Sequence, residues 1–87
     1  MPKANSYPSP RTKLTRHAGR RMRQRGLTRD RLEALLDNAD ISRPGGDNCW
    51  IHRISRGAAR AIGDGRLANW AAVVSDASGE LVTIAPL

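Results

Sequence analysis

Eighty-seven residues hold one small domain: a chain this short buries only about 60% of the surface its unfolded form exposes, so stability rests on a single core. The one cysteine, Cys49, excludes an internal disulfide, and no apolar stretch resembles a signal sequence or a spanning helix, which points by default to a reducing cytoplasm and no membrane. The formal charge of +7 sits at one end: Met1 to Arg31 carry ten Lys or Arg against one acid, and Leu32 to Leu87 carry five arginines against seven acids. This asymmetry favours a polyanion such as RNA, because each neutralised phosphate releases counterions; an acidic protein would satisfy the same field.

Residues 1 to 12, with three prolines and no apolar periodicity, read as a flexible leader, and residues 13 to 87 as a single domain. Leu14 to Arg25 reads as a helix ended by Gly26 in a left-handed conformation, with Leu27 meeting Met22 as in a Schellman motif. Thr28 then caps a second helix, Asp30 lies in its first turn, and Leu27 and Leu32 are spaced for a hydrophobic staple. Leu32, Leu35, Leu36 and Ala39 give that helix an apolar stripe up to about Asn38. A turn cluster, Arg43 to Asn48, leads into a strand from Cys49 to Ile54 with Trp50, His52 and Ile54 on one face. Trp50, Trp70 and His52 are expected in the core.

A short extra helix over 55–63, capped by Ser55 and weakened by Gly57, precedes a hairpin of "NWAAVVSD" and "ELVTIA" around Ala77, Ser78 and Gly79. The first hairpin strand is apolar enough to be central. The predicted fold class is α+β, two N-terminal helices packed on an antiparallel sheet of three to four strands.

At about 100° per residue, His17, Arg21 and Arg25 form a row bordering the apolar edge of the first helix, which Ala18 and Met22 define. Arg16, Arg20 and Arg23 point away, as a solvated cationic face or, with Lys13 and Arg29, a nucleic-acid contact. Guanidinium groups beside a core need partners. Two readings follow: ion pairs from Arg21 or Arg25 to Glu33 or Asp37 on the second helix, or an anion site in which the arginines hold a phosphate and His17 moves protons. One Cys and two distant His give no zinc spacing, no Gly-rich phosphate loop follows a strand, and the aspartates show no calcium-loop pattern, so no metal or cofactor is indicated.

Residues 14 to 38, "LTRHAGRRMRQRGLTRDRLEALLDN", with "AAVVSDASGELVTI" at 71 to 84, resemble the small bacterial family designated domain of unknown function 4258. The shared features are His17, Arg21-Met22, Arg25-Gly26 and Val82-Thr83-Ile84. The family is grouped by similarity with RelE-like and barnase-like ribonuclease folds, which include toxins of toxin-antitoxin systems. The resemblance implies metal-free RNA cleavage through attack of the 2′-hydroxyl on the adjacent phosphate, with His17 as acid/base and Arg21 and Arg25 on the phosphate. It also implies that Thr83 orients substrate or His17 and that the partner is RNA; a separate reading is a protein-partner module that binds an acidic antitoxin or phage protein. Many relatives carry a polar or aromatic residue just past the last strand, where this sequence reads Ala85-Pro86-Leu87. An alternative is a non-enzymatic helix-turn-helix binder, whose second helix offers only Arg29 and Arg31 as outward base-reading groups.

Overall fold

The computed structural model describes residues 12–87, so the leader expected over 1–12 lies outside the described residues except for Thr12. Helices α1 (Arg16–Arg25) and α2 (Arg29–Asn38) come first. They are followed by strands β1 (Ile41–Pro44) and β2 (Cys49–Arg53), helix α3 (Arg56–Ala61), a 3₁₀ turn (Gly65–Asn69), and strands β3 (Trp70–Ser75) and β4 (Leu81–Pro86). The four strands form one antiparallel sheet in the order β1-β2-β3-β4, which makes apolar β3 an interior strand as its composition predicts. This is the α+β arrangement expected, with the larger of the two strand counts.

Helix α1 begins two residues later than its apolar pattern suggests. Leu14 is drawn instead into a parallel bridge with Leu81: the Leu81 N–H donates to the Lys13 carbonyl at 2.8 Å, and the Thr15 N–H donates to the Leu81 carbonyl at 3.0 Å. Thr15 becomes the N-cap, its Oγ1 accepting from the Ala18 N–H at 3.1 Å while donating to the Val82 carbonyl at 3.0 Å. Pairing with β4 here overrides helical periodicity. At the other end Gly26 takes φ 70°, and the Leu27 N–H reaches the Met22 carbonyl at 2.9 Å, closing the predicted Schellman turn. Thr28 caps α2 by accepting from the Arg31 N–H at 3.3 Å, and Leu27 and Leu32 are both buried, as a staple requires.

Strand β1 starts at Ile41 and runs through Arg43 and Pro44, the first residues of the segment the sequence suggests is a turn cluster. Pro44 does not forbid a strand here because β1 is at the sheet edge, where a missing N–H breaks no ladder. The turn that follows holds Asp47 and Asn48, both at φ 57°, with the Cys49 N–H donating to the Gly46 carbonyl at 3.2 Å, the backbone signature of a type I′ hairpin. Helix α3 forms through Gly57 under the Ser55 cap. Asp40 fixes that cap by accepting from the Ser55 N–H at 2.7 Å and hydroxyl at 2.6 Å, and these bonds hold its carboxyl below the usual carboxylate range.

Two cross-strand rows face the helices: Ser42–His52–Ala72–Ile84 and Pro44–Trp50–Val74–Leu81. Leu81 and Ile84 are three residues apart and would normally face opposite ways. A register shift between Val73 and Val74 inserts Val82 as a bulge and turns both inward. They complete a core with Ala18 and Met22 of α1, Leu32 and Leu35 of α2, Ile54, Ala59 and Leu67. Every helix contributes to this one cluster, so the fold has two layers. The two edge-proximal rings of this face do not reach the core. Trp50 is 38% exposed, its Nε1 donating to Asp76 at 3.0 Å, and half-buried His52 pairs through Nδ1 with the Ser42 hydroxyl at 2.7 Å. Both were expected inside; they stand beside short edge strand β1, whereas Trp70, on interior strand β3, packs against the core.

Candidate nucleic-acid interface

The caps at Thr15 and Gly26 fix the rotation of α1, and burial of Ala18 and Met22 then decides where every other side chain points. His17 and Arg25 are exposed and Arg21 is half-buried, as a row along the apolar edge should be. Lys13, Arg16, Arg20 and Arg23 are exposed. A cleft of about 400 Å³ opens on the other side of the helix, lined by Leu14, Gly19, Met22, Arg23 and Leu27 among others. Its lining is mainly apolar, with Arg23, Thr28 and Arg29 as its polar members, and includes none of His17, Arg21 and Arg25, so it is separate from the His17 row.

Glu33 of α2 is engaged elsewhere. Glu33 is held by Arg29, four residues before it, with Nε to Oε2 at 3.2 Å, and it also accepts from the Thr12 hydroxyl at 3.3 Å. The Arg29 Nη2 group donates in turn to the Thr12 carbonyl. Arg31 grips Asp64 through two bonds, Nε to Oδ2 at 2.7 Å and Nη2 to Oδ1 at 3.2 Å, tying α2 to the loop after α3. The Arg31 hydrogen bonds are the leading reason the Asp64 carboxyl lies below its ordinary range. Asp37 is exposed. The pairing of Arg21 or Arg25 with Glu33 or Asp37 is thus not made: among the described residues none of the five arginines of α1 has an ion-pair partner.

Of the sequence-selected residues, then, the structure keeps His17, Arg21 and Arg25 together on one helix edge and leaves them open. It spreads Lys13, Arg16, Arg20 and Arg23 around them and ties Arg29 into the α2 network. Thr83 is set apart. It faces away from the helices, in the row Arg43–Ile51–Val73–Thr83 on the opposite side of the sheet, and no hydrogen bond links it to His17 among the described residues. That opposite face also carries Arg53, which residue pattern alone did not single out. The usable signal was strand alternation on β2, where Arg53 falls on the phase opposite to buried Ile54; the face of Arg43 is set by the register of β1 on β2.

Among the described residues no cluster of His, Cys, Asp and Glu could hold a metal ion, and no helix is long and apolar enough to cross a membrane. Comparison of the chain with known protein families, with curated proteins and with solved structures finds no match in any of the three.

Proposed function

We propose that this chain is a small RNA-directed protein, a member of the family it resembles and of RelE-like type, that cleaves RNA without a metal ion. The supporting observation is the open row His17, Arg21 and Arg25, in which a half-buried guanidinium and its neighbours have no carboxylate partner among the described residues. Unneutralised guanidiniums beside a histidine suit a phosphodiester, whose charge they hold in bidentate fashion. In the reaction the 2′-oxygen bonds to phosphorus as the bond to the 5′-oxygen breaks, leaving a 2′,3′-cyclic phosphate and a 5′-hydroxyl. His17 takes the proton from the 2′-hydroxyl, Arg21 and Arg25 hold the charge that grows on the phosphoryl oxygens, and the 5′-oxygen takes its proton from solvent. Thr83 serves as an orienting contact reached by substrate across the sheet edge.

The helix-turn-helix alternative loses ground, because the two groups that would read bases, Arg29 and Arg31, are both committed to acids of the fold. An acidic antitoxin remains a natural competitor for the same surface. The test is incubation of wild type and His17→Ala with RNA in EDTA. Cleavage by wild type and its loss in a folded His17→Ala variant are expected. RNA bound equally by both proteins but cut by neither overturns the enzymatic reading, and no RNA binding at low salt overturns the whole proposal.

A further inference from the structure

The helices pack on one face of the sheet; among the described residues the other carries no residue of that core cluster, although Ala71 on it is itself buried. No strand contains an Asp or a Glu, so that open face has no carboxylate of its own. It does have two arginines. Arg43 pairs across to Ile51 and Arg53 pairs across to Ile41, which places the two guanidinium stems on diagonal positions of the same face. Side chains as long as arginine can reach one another at that offset, where like charges repel.

Arg53 carries a second anomaly. Among the described residues its buried Nε has no hydrogen-bond partner. A charged N–H shut away from water without an acceptor is unfavourable, and natural structures satisfy nearly all such groups. The Arg53 carbonyl accepts from the Asp40 N–H, but the Asp40 carboxylate is turned to Ser55. An anion lying between the two guanidiniums resolves both anomalies, giving the orphaned Nε an acceptor and cancelling the repulsion.

We infer that Arg43 and Arg53 form a phosphate-binding site on the open sheet face, which takes a backbone phosphodiester of the same RNA strand that α1 engages. The inference rests on the RNA reading above and extends it to a second surface. Phosphate fits because its tetrahedral oxygens can accept from two converging forks at once. The strip beside the arginines is aliphatic, Ile51 and Val73, ending at the Thr83 hydroxyl, and both tryptophans lie in the rows on the other face. The site is therefore built to hold backbone and not to stack bases.

The experiment has two arms. In the first, the Arg53 Hε resonance is followed by NMR as inorganic phosphate is added to the full chain. A saturable shift in wild type, absent in Arg43→Gln, is expected, and no shift overturns the site. In the second, RNA affinity is measured against salt for wild type, Arg43→Gln, Arg53→Gln and Arg53→Lys. Each glutamine variant should lower the log–log salt slope by about 1, and the lysine variant should restore charge without restoring full affinity, because it lacks the fork. Arg60→Gln, exposed on α3, should leave the slope unchanged. Wild-type slopes in both glutamine variants overturn the inference while leaving RNA binding through α1 intact. Failure of wild type to bind any RNA overturns the reading it rests on, and the phosphate titration still decides whether the arginines hold an anion. Thermal midpoints of the variants identify any that merely unfold.

Discussion

The two N-terminal helices are equally long and both rich in arginine, yet they treat that charge in opposite ways. On α2, Arg29 and Arg31 are fastened to Glu33 and Asp64 and serve to position the helix. On α1, five arginines stand without an ion pair among the described residues. The difference arises from spacing. An acid four residues after Arg29 captures it within its own helix, whereas α1 contains no acid at all. The number of arginines therefore says little about function until the acids within reach of each have been located.

This contrast can be broken by exchanging the two kinds of arginine. The largest effect is expected from the double change Arg21→Gln/Arg25→Gln, which should lower the log–log salt slope of RNA binding by about 2 and leave the thermal midpoint near that of wild type. A large loss of thermal stability would show that these arginines are structural after all. Arg31→Gln should do the reverse, costing about 1 kcal/mol in denaturant unfolding, since its bidentate grip on Asp64 is better than an ordinary surface pair, with RNA affinity unchanged. Replacing Thr28 by Ala should cost about 1 kcal/mol through the lost α2 cap.

Acid should weaken the Asp64 tie of α2, together with the α3 cap that Asp40 holds. The Asp64 carboxyl is lowered in the folded state, so the unfolded chain binds its proton first as pH falls. The stability Asp64 contributes is fully present above about pH 4 and is lost progressively below it. Asp64→Asn should flatten this part of the stability-versus-pH curve. An unchanged curve would mean the ion pair is not formed in solution. Smallest of all, Glu33→Gln should cost about 0.5 kcal/mol, the usual size of an i,i+4 pair.

What could be read in advance follows the same division between local and distant causes. The caps at Gly26, Thr28 and Ser55 were legible because a cap is a contract between near neighbours. The start of α1 was not, since Leu14 suits a helix and is claimed by Leu81, far along the chain. The bulge at Val82 and the edge strand through Pro44 were hidden for the same reason. Trp50 and His52 were assigned to the core by residue type, but core membership depends on where on the sheet a position falls. Within the site, the row on α1 followed from helical spacing alone. Its lack of acidic partners among the described residues, the Arg43–Arg53 diagonal and the placement of Thr83 on the far face all needed the tertiary structure.

Thr15 and Val82 are joined across 67 residues of sequence. That closure fixes the start of α1, and it cannot form until β4 has been synthesised and is free to pair. Contacts of such long range are slow to make. During translation the arginine-rich helix will therefore leave the ribosome well before anything holds it in place. A nascent chain carries its positive charge early and its ordered site late, so any cleavage by this protein should begin only after its last strand has docked.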